Sequence, residues 1–224
     1  FIADPMFHSG AYYVQESSSM FLHKVMNQIR KSFSHSIKVL DLCAAPGGKS
    51  TLISSLLRDD DLLVSNEIIR SRVNILEENL MRWGRSNTVI SCNDPSAFAS
   101  LENYFDVILI DAPCSGEGMF RKDENAISEW SEEHVNLCSS RQYRLVSDVI
   151  GALKPDGVLI YSTCTFNRKE NEENVNRMLK ENELEVMSFD VPPEWKIVTT
   201  GNTFRFYPHK VKGEGLFLAV MKKK

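Results

Sequence analysis

"KVLDLCAAPGGKSTLISSLLR", residues 38 to 58, decides how the rest of the chain is read. An apolar run rich in Val and Leu ends at Cys43, a small-residue turn with Gly47 and Gly48 follows, and from Lys49 apolar residues recur at helical spacing. Strand, glycine turn and helix in that order open a sheet whose parallel strands are joined by helical crossovers. The alternation continues. "LLVSN" (62–66) reads as a strand, "RSRVNILEENLMRWG" (70–84) as a helix closed by Gly84, and "TVISC" (88–92) and "DVILI" (106–110) as strands. A helical segment over about 132–153, the strand "GVLIYST" (157–163) and the helix "KENEENVNRMLKE" (169–181) come next. Upstream, Phe21, Leu22, Val25, Met26, Ile29 and Phe33 give a helix one apolar face, with Ser17 to Ser19 available as its N-cap. Downstream, "DVPPEW" and "TTGNT" read as loops, and "FRFYP" (204–208) and "GLFLAVMK" (215–222) as a partly antiparallel closing pair. The predicted class is α/β: a doubly wound, mostly parallel, seven-stranded sheet with an antiparallel closing strand, covered by helices on both faces.

At 224 residues the chain is expected to form a single domain, 1–224, with 1–36 as a helical lead-in. It begins at Phe1 rather than Met, which reads as a piece of a longer chain. Thirty acidic against 26 basic residues leave a formal charge of −4, so there is no global excess of the cations that non-specific nucleic-acid binding requires. Any RNA contact must come from a local patch or from other segments. The five cysteines are odd in number, widely spaced and without a C-x-x-C pair, which argues against a disulfide framework or a zinc site. No metal, no membrane span, a cytoplasmic location and a monomer are the resulting expectations.

The glycine turn lies where open α/β sheets bind nucleotide-like ligands. Glu67, 19 residues after Gly48 and at the next strand end, suits the two ribose hydroxyls of an adenosine moiety. Asp94, just past the third strand, suits an exocyclic adenine amine, although an isolated Asp in a loop is also a common turn residue. "GGKST" resembles the end of a phosphate loop, but that pattern needs a glycine where Cys43 stands. Acids at both strand ends, Asp41 and Glu67, favour a cationic sulfonium over a triphosphate. Two further strand tips carry cysteines: "DAPCSGEG" (111–118), with Asp111 and Cys114, and "YSTCT" (161–165), with Cys164. A single buried cysteine is usually structural, but two at neighbouring strand ends beside a cofactor turn call for a chemical explanation.

These motifs, together with "YYVQESSSM", "NEIIRSRVNILEENL", "YSTCTFNRKENEENV" and "RFYPHKVKGEGLF", span nearly the whole chain. The chain resembles the NOL1/NOP2/Sun family of RNA 5-methylcytosine methyltransferases, and within it the bacterial enzymes acting on 16S ribosomal RNA. The resemblance implies a Rossmann-like class I fold using S-adenosyl-L-methionine. It implies Cys164 as the nucleophile toward cytosine carbon 6, Cys114 as the residue assisting release, and Asp111 at the cytosine ring. Lys49 is a candidate by position for favouring the thiolate. Cofactor contacts carry over to Cys43, Ala44, Ala45, Pro46, Gly47, Gly48, Lys49, Glu67, Asp94 and Asp111. Arg72 matches a family position but also reads as a solvated helix residue. The implied partner is RNA, ribosomal or alternatively transfer RNA. Candidate phosphate contacts are Arg121 and Lys122, Arg168 and Lys169, and Arg205, His209, Lys210 and Lys212. A phosphate-loop enzyme and a non-catalytic RNA-binding protein are the rival classes.

Overall fold

The computed structural model describes residues 1–224. One nine-stranded sheet runs through it, its strands in the spatial order third, second, first, fourth, fifth, ninth, eighth and seventh along the chain, with the sixth pairing the ninth off that path. A short helix α1 (Pro5–His8) and a single 3-10 turn precede α2 (Phe21–Ser32). There follow β1 (Lys38–Asp41), α3 (Gly48–Leu56), β2 (Leu62–Asn66), α4 (Arg70–Trp83), β3 (Thr88–Ser91) and β4 (Phe105–Asp111). Next are α5 (Glu124–Glu129), α6 (Glu132–Val149), β5 (Leu153–Thr163) and α7 (Asn174–Glu181), and last β6 (Leu184–Val186), β7 (Val198–Thr200), β8 (Thr203–Phe206) and β9 (Leu216–Lys223). Strands β1 to β5 are parallel, and β9 lies antiparallel against β5, pairing Thr163 with Phe217 through Val158 with Lys222.

Both faces of the central strands are buried, which is why their sequences are continuous apolar runs instead of alternating ones. Val39, Val107, Leu109, Val158, Ile160, Leu218 and Val220 face α2 and α3, where Val25, Met26, Ile29 and Ile53 complete one core. Leu40, Ile108, Ile110, Leu159, Tyr161, Phe217 and Ala219 face the opposite side, packed with Leu145, Val146 and Val149 of α6 and Val175 and Met178 of α7.

Three features differ from the sequence reading. The sheet has nine strands where seven were expected, because β6 and β7 are three-residue strands too short to show a period. Part of the supposed "TTGNT" loop is therefore a β-hairpin: Gly201 and Asn202 both have positive φ, 56° and 62°, the conformation of a two-residue type I′ turn between β7 and β8. No side chain caps α2: its N-cap position is Met20, and Ser18 and Ser19 lie in the preceding 3-10 turn, where Glu16 accepts their backbone N–H groups at 2.9 and 2.8 Å. Finally, α6 ends at Val149 and β5 begins at Leu153, four residues earlier than expected, with a register shift opposite Phe105 to Val107.

The strand order places β1 between β2 and β4, so consecutive connections leave β1 toward opposite edges. The crevice at the carboxyl ends of β1 and β4 is the topological switch point. The glycine turn follows β1, and Asp111 ends β4.

Candidate functional site

The turn after β1 is built by its own backbone. Gly47 sits at φ 109°, a region that disfavours side chains, and its N–H donates to Ala44 at 2.8 Å while its carbonyl receives Thr51 N–H at 2.8 Å. Ala44 N–H reaches the carbonyl of Asn66 at the end of β2. Gly48 is needed for a different reason: a Cβ there would lie 2.7 Å from Gln15 Oε1 and 3.0 Å from Tyr13 Cε1. The segment before α2 thus closes over the turn, with Gln15 Nε2 donating to the Gly48 carbonyl at 2.8 Å.

Above it opens a cavity of about 530 Å³ lined by Tyr13, Gln15, Glu16, Cys43, Ala44, Ala45, Pro46, Gly48, Lys49, Arg72, Asp111, Met119, Lys122, Cys164 and Glu214, among others. Cys43, Ala44, Ala45, Pro46, Gly48, Lys49, Asp111 and Cys164 from the sequence reading meet on its wall. Gly47, Glu67, Asp94 and Cys114 do not line it. Gly47 acts through the turn, and Cys114 lies behind Cys164, their sulfurs 3.0 Å apart. Glu67 is buried at the end of β2, with Oε1 accepting Ile69 N–H. Its Oε2 has no hydrogen bond, and the nearest cation is Arg72 Nη1 at 3.3 Å. Asp94 is exposed and caps the 3-10 turn 95–100 by accepting Ser96 N–H and Oγ, the turn role its position also suggested.

Arg72 is more than a solvated helix residue. Its Nη2 donates to the Ala45 carbonyl at 2.7 Å, tying α4 to the glycine turn. Asp41 requires a correction. It is fully buried beneath the turn, accepting Ser50 Oγ at 2.6 Å, and burial raises its pKa to about 7 against that hydrogen bond, with Asp111 adding to the rise. Near neutrality it therefore brings only part of a charge to the site, and it does not line the cavity.

Lys49, in the first turn of α3, donates to Asp111 Oδ2 at 2.7 Å, and Ser162 Oγ of β5 donates to Asp111 Oδ1 at 2.7 Å. Burial works against the Lys49 charge, but Asp111 beside it and Asp41 below hold its pKa above the ordinary value. The Cys164 thiol is pulled down by the hydrogen bond from Cys114, against burial and Asp111, with Lys49 acting in the same direction as Cys114. That same contact and burial push the Cys114 thiol up, so the pair divides into a thiolate-prone Cys164 and a proton-holding Cys114. Burial also raises the Cys43 thiol, with the carboxylates of Asp41, Asp111 and Glu67 adding to it.

The loops carrying the two cysteines are joined by groups that the sequence reading did not single out. Gly118 N–H donates to the Cys164 carbonyl at 2.8 Å, and a Cβ on Gly118 would lie 2.4 Å from that oxygen. Glu117 Oε2 accepts Thr165 Oγ1 at 3.0 Å and Phe166 N–H at 2.8 Å, and its Oε1 accepts Trp130 Nε1 at 3.1 Å. Glu170, fully buried, accepts from Ser115 and Gln142. These residues lie in stretches that read locally as a loop, a helix and an acidic helix face. The fold brings them together across separations of 13 to 55 residues.

The basic candidates divide. Arg121, Arg168, His209, Lys210 and Lys212 are exposed. Lys122 is paired with Glu214 at the cavity rim, and Lys169 is bonded to Asn136. Arg205 is not available to a phosphate: it is buried, paired with Glu172 through both Nε and Nη2, and donates Nη1 to the Phe166 carbonyl at 3.0 Å. No group of three His, Cys, Asp or Glu is arranged to hold a metal ion, and no helix is long and apolar enough to cross a membrane.

Known proteins resemble this chain in sequence and in fold. The family model described as 16S rRNA methyltransferase RsmB/F matches residues 32–222. A protein named ribosomal RNA small subunit methyltransferase F, from Pectobacterium atrosepticum, is 39% identical over 224 residues, covering 96% of this chain and 45% of its own length. The chain thus spans less than half of that relative. Among solved structures, NSun6 from Pyrococcus horikoshii with SFG superposes with a TM-score of 0.83 at 28% identity, over all of this chain and 56% of that one. A methyltransferase homolog protein from Pyrococcus horikoshii gives 0.84 at 28% identity, over all of this chain and 72% of that one.

Proposed function

The chain belongs to the RsmB/F family of 16S rRNA methyltransferases, and on that premise we propose that it methylates carbon 5 of a cytosine in small-subunit ribosomal RNA through a transient bond to Cys164. The observation that carries this reading is the Cys164 thiol on the cavity wall, with Cys114 behind it and the Lys49–Asp111 pair beside it.

The residues present fit S-adenosyl-L-methionine. Glu67 Oε2 is buried without a hydrogen bond, with Arg72 Nη1 3.3 Å away, and ribose hydroxyls would satisfy it. When bound, the cofactor supplies an electrophilic methyl group. Cys164 would hold the cofactor-facing base by adding its sulfur to carbon 6, which moves the carbon 5–carbon 6 electron pair onto carbon 5 and makes it nucleophilic. Asp111, fixed by Lys49 and Ser162, is placed to hydrogen-bond the ring near N3 and to share a proton there. Release requires transfer of the carbon 5 proton to a water acting as base, with the carbon 5–hydrogen electron pair re-forming the ring double bond and the carbon 6–sulfur pair leaving with Cys164 as thiolate. Cys114, hydrogen-bonded to that sulfur, is placed to assist the departure. A base reached from above by a thiol must be unpaired, so the substrate nucleotide is looped or flipped.

The test is incubation of the full-length protein with methyl-labelled S-adenosylmethionine and separated small-subunit and transfer RNA, for wild type, Cys114→Ala and Cys164→Ala. Label in small-subunit RNA, a slow-migrating protein–RNA adduct for Cys114→Ala, and neither product nor adduct for Cys164→Ala are expected. Methylation by Cys164→Ala would remove the covalent mechanism. Label confined to transfer RNA would change the substrate and leave the chemistry standing.

A further inference from the structure

Two identical thiols at neighbouring strand tips do not by themselves determine which one attacks. We infer that Glu170 is the positioning residue that separates their roles, holding Cys114 against Cys164 through Ser115. The consequence for catalysis rests on the methyl-transfer reading above; the geometry stands without it.

Glu170 is fully buried in the π-helical turn Lys169–Glu173 that follows the Cys164 loop. Its carboxyl accepts Ser115 N–H at 3.0 Å, the Ser115 hydroxyl, and Gln142 Nε2 from α6 at 2.7 Å. Three donors thus converge on its two oxygens. Ser115 directly follows Cys114, and Thr165 directly follows Cys164. Their hydroxyl oxygens lie 3.1 Å apart, so the sulfur contact of 3.0 Å is repeated one residue further along both loops. Glu170 fixes the Ser115 end of this double contact, as Glu117 fixes the Thr165 end.

Stability alone does not call for a charge here. A buried carboxylate is costly to desolvate, and an apolar side chain of similar volume serves packing equally well. What the carboxylate adds is an orientation and a sign. Lys49 and Asp111 stand on the Cys164 side of the pair, whereas Glu170 stands behind Cys114 and disfavours a thiolate there. Gln142 is held in turn by Tyr161 Oη at 3.0 Å and Asn174 Nδ2 at 3.0 Å, so the acid sits in a fixed frame.

The test uses the full-length protein without RNA, so that its failure is separable from failure of the methyl-transfer reading. Initial rates of iodoacetamide alkylation are measured at Cys164 and at Cys114 by peptide mass spectrometry across pH. In wild type Cys164 reacts faster. In E170Q the ratio of the two rates is expected to fall about tenfold, the equivalent of one pKa unit, with cofactor affinity unchanged. S115A, which removes one of the three donors, should lower the ratio severalfold, and it carries the test if E170Q does not fold. R30A, which breaks the buried Arg30–Asp61 pair at the opposite end of the strands, controls for general loss of stability. A ratio unchanged in E170Q or S115A, or lowered equally in R30A, overturns the assignment. With RNA and labelled cofactor, E170Q should also accumulate adduct as Cys114→Ala does.

Discussion

The two walls of the crevice differ in how far their shape depends on distant residues. On the cofactor side, the turn after β1 takes its shape within a dozen residues, Gly47 bonding to Ala44 and Thr51 and Asp41 to Ser50, and Gln15, Asn66 and Arg72 then tie it to its surroundings. On the cysteine side, almost every constraint spans the chain, with Ser115 bound to Glu170, Thr165 to Glu117 and Cys114 to Cys164. A local turn is specified by residue type and backbone conformation. A wall made of two distant loops requires buried polar groups that satisfy one another, and it is correspondingly sensitive to the loss of one partner.

The largest effect expected from breaking this contrast is at Arg205. Arg205→Ala leaves the half-buried Glu172 unpaired and frees the Phe166 carbonyl, which should cost about 3 kcal/mol in denaturant unfolding. A cost below about 1 kcal/mol would show that the cysteine wall does not depend on this anchor.

Next is a pH effect on the opposite wall. Asp41 has its pKa raised by burial from an ordinary 3.8 to about 7, so the folded state holds its proton more tightly than the unfolded chain does. Its contribution is fully present below pH 4 and is lost as pH rises through about 7, amounting to roughly 2–4 kcal/mol. Asp41→Asn should flatten the pH dependence of unfolding across that window. An unchanged slope would mean that Asp41 titrates normally.

Gly118→Ala sharpens the comparison on the cysteine side, since its Cβ would lie 2.4 Å from backbone that cannot yield without moving Cys164. Turnover should fall about 100-fold with cofactor affinity unchanged, because small misplacements at a reacting centre cost on that scale. The matching change across the crevice, Gly48→Ala, meets the flexible end of Gln15 at 2.7 Å and should only weaken cofactor binding, by about fivefold or 1 kcal/mol. Equal losses from the two glycines, measured by calorimetry and single-turnover kinetics, would erase the distinction between the walls.

The alternation of buried strands and helices, the glycine turn and the cysteine-bearing tips could all be read from the chain because each is local: hydrophobic period, glycine placement and motif order need no partner. That reading lost accuracy where context dominates. β6 and β7 have too few residues to show a period and exist because β9 and β8 offer edges to pair with. Arg205 read as a surface cation until β8 and the π turn placed it opposite Glu172, and the serines expected to cap α2 form a 3-10 turn held by Glu16.

By itself, then, the sequence determined the sheet's class, its switch point and the presence of two cysteines at neighbouring strand ends. Tertiary structure alone decided which acids are buried, which cations are already paired, and why two equal cysteines differ. The physical reason is that charge and reactivity depend on desolvation and on partners tens of residues away, neither of which local residue patterns encode.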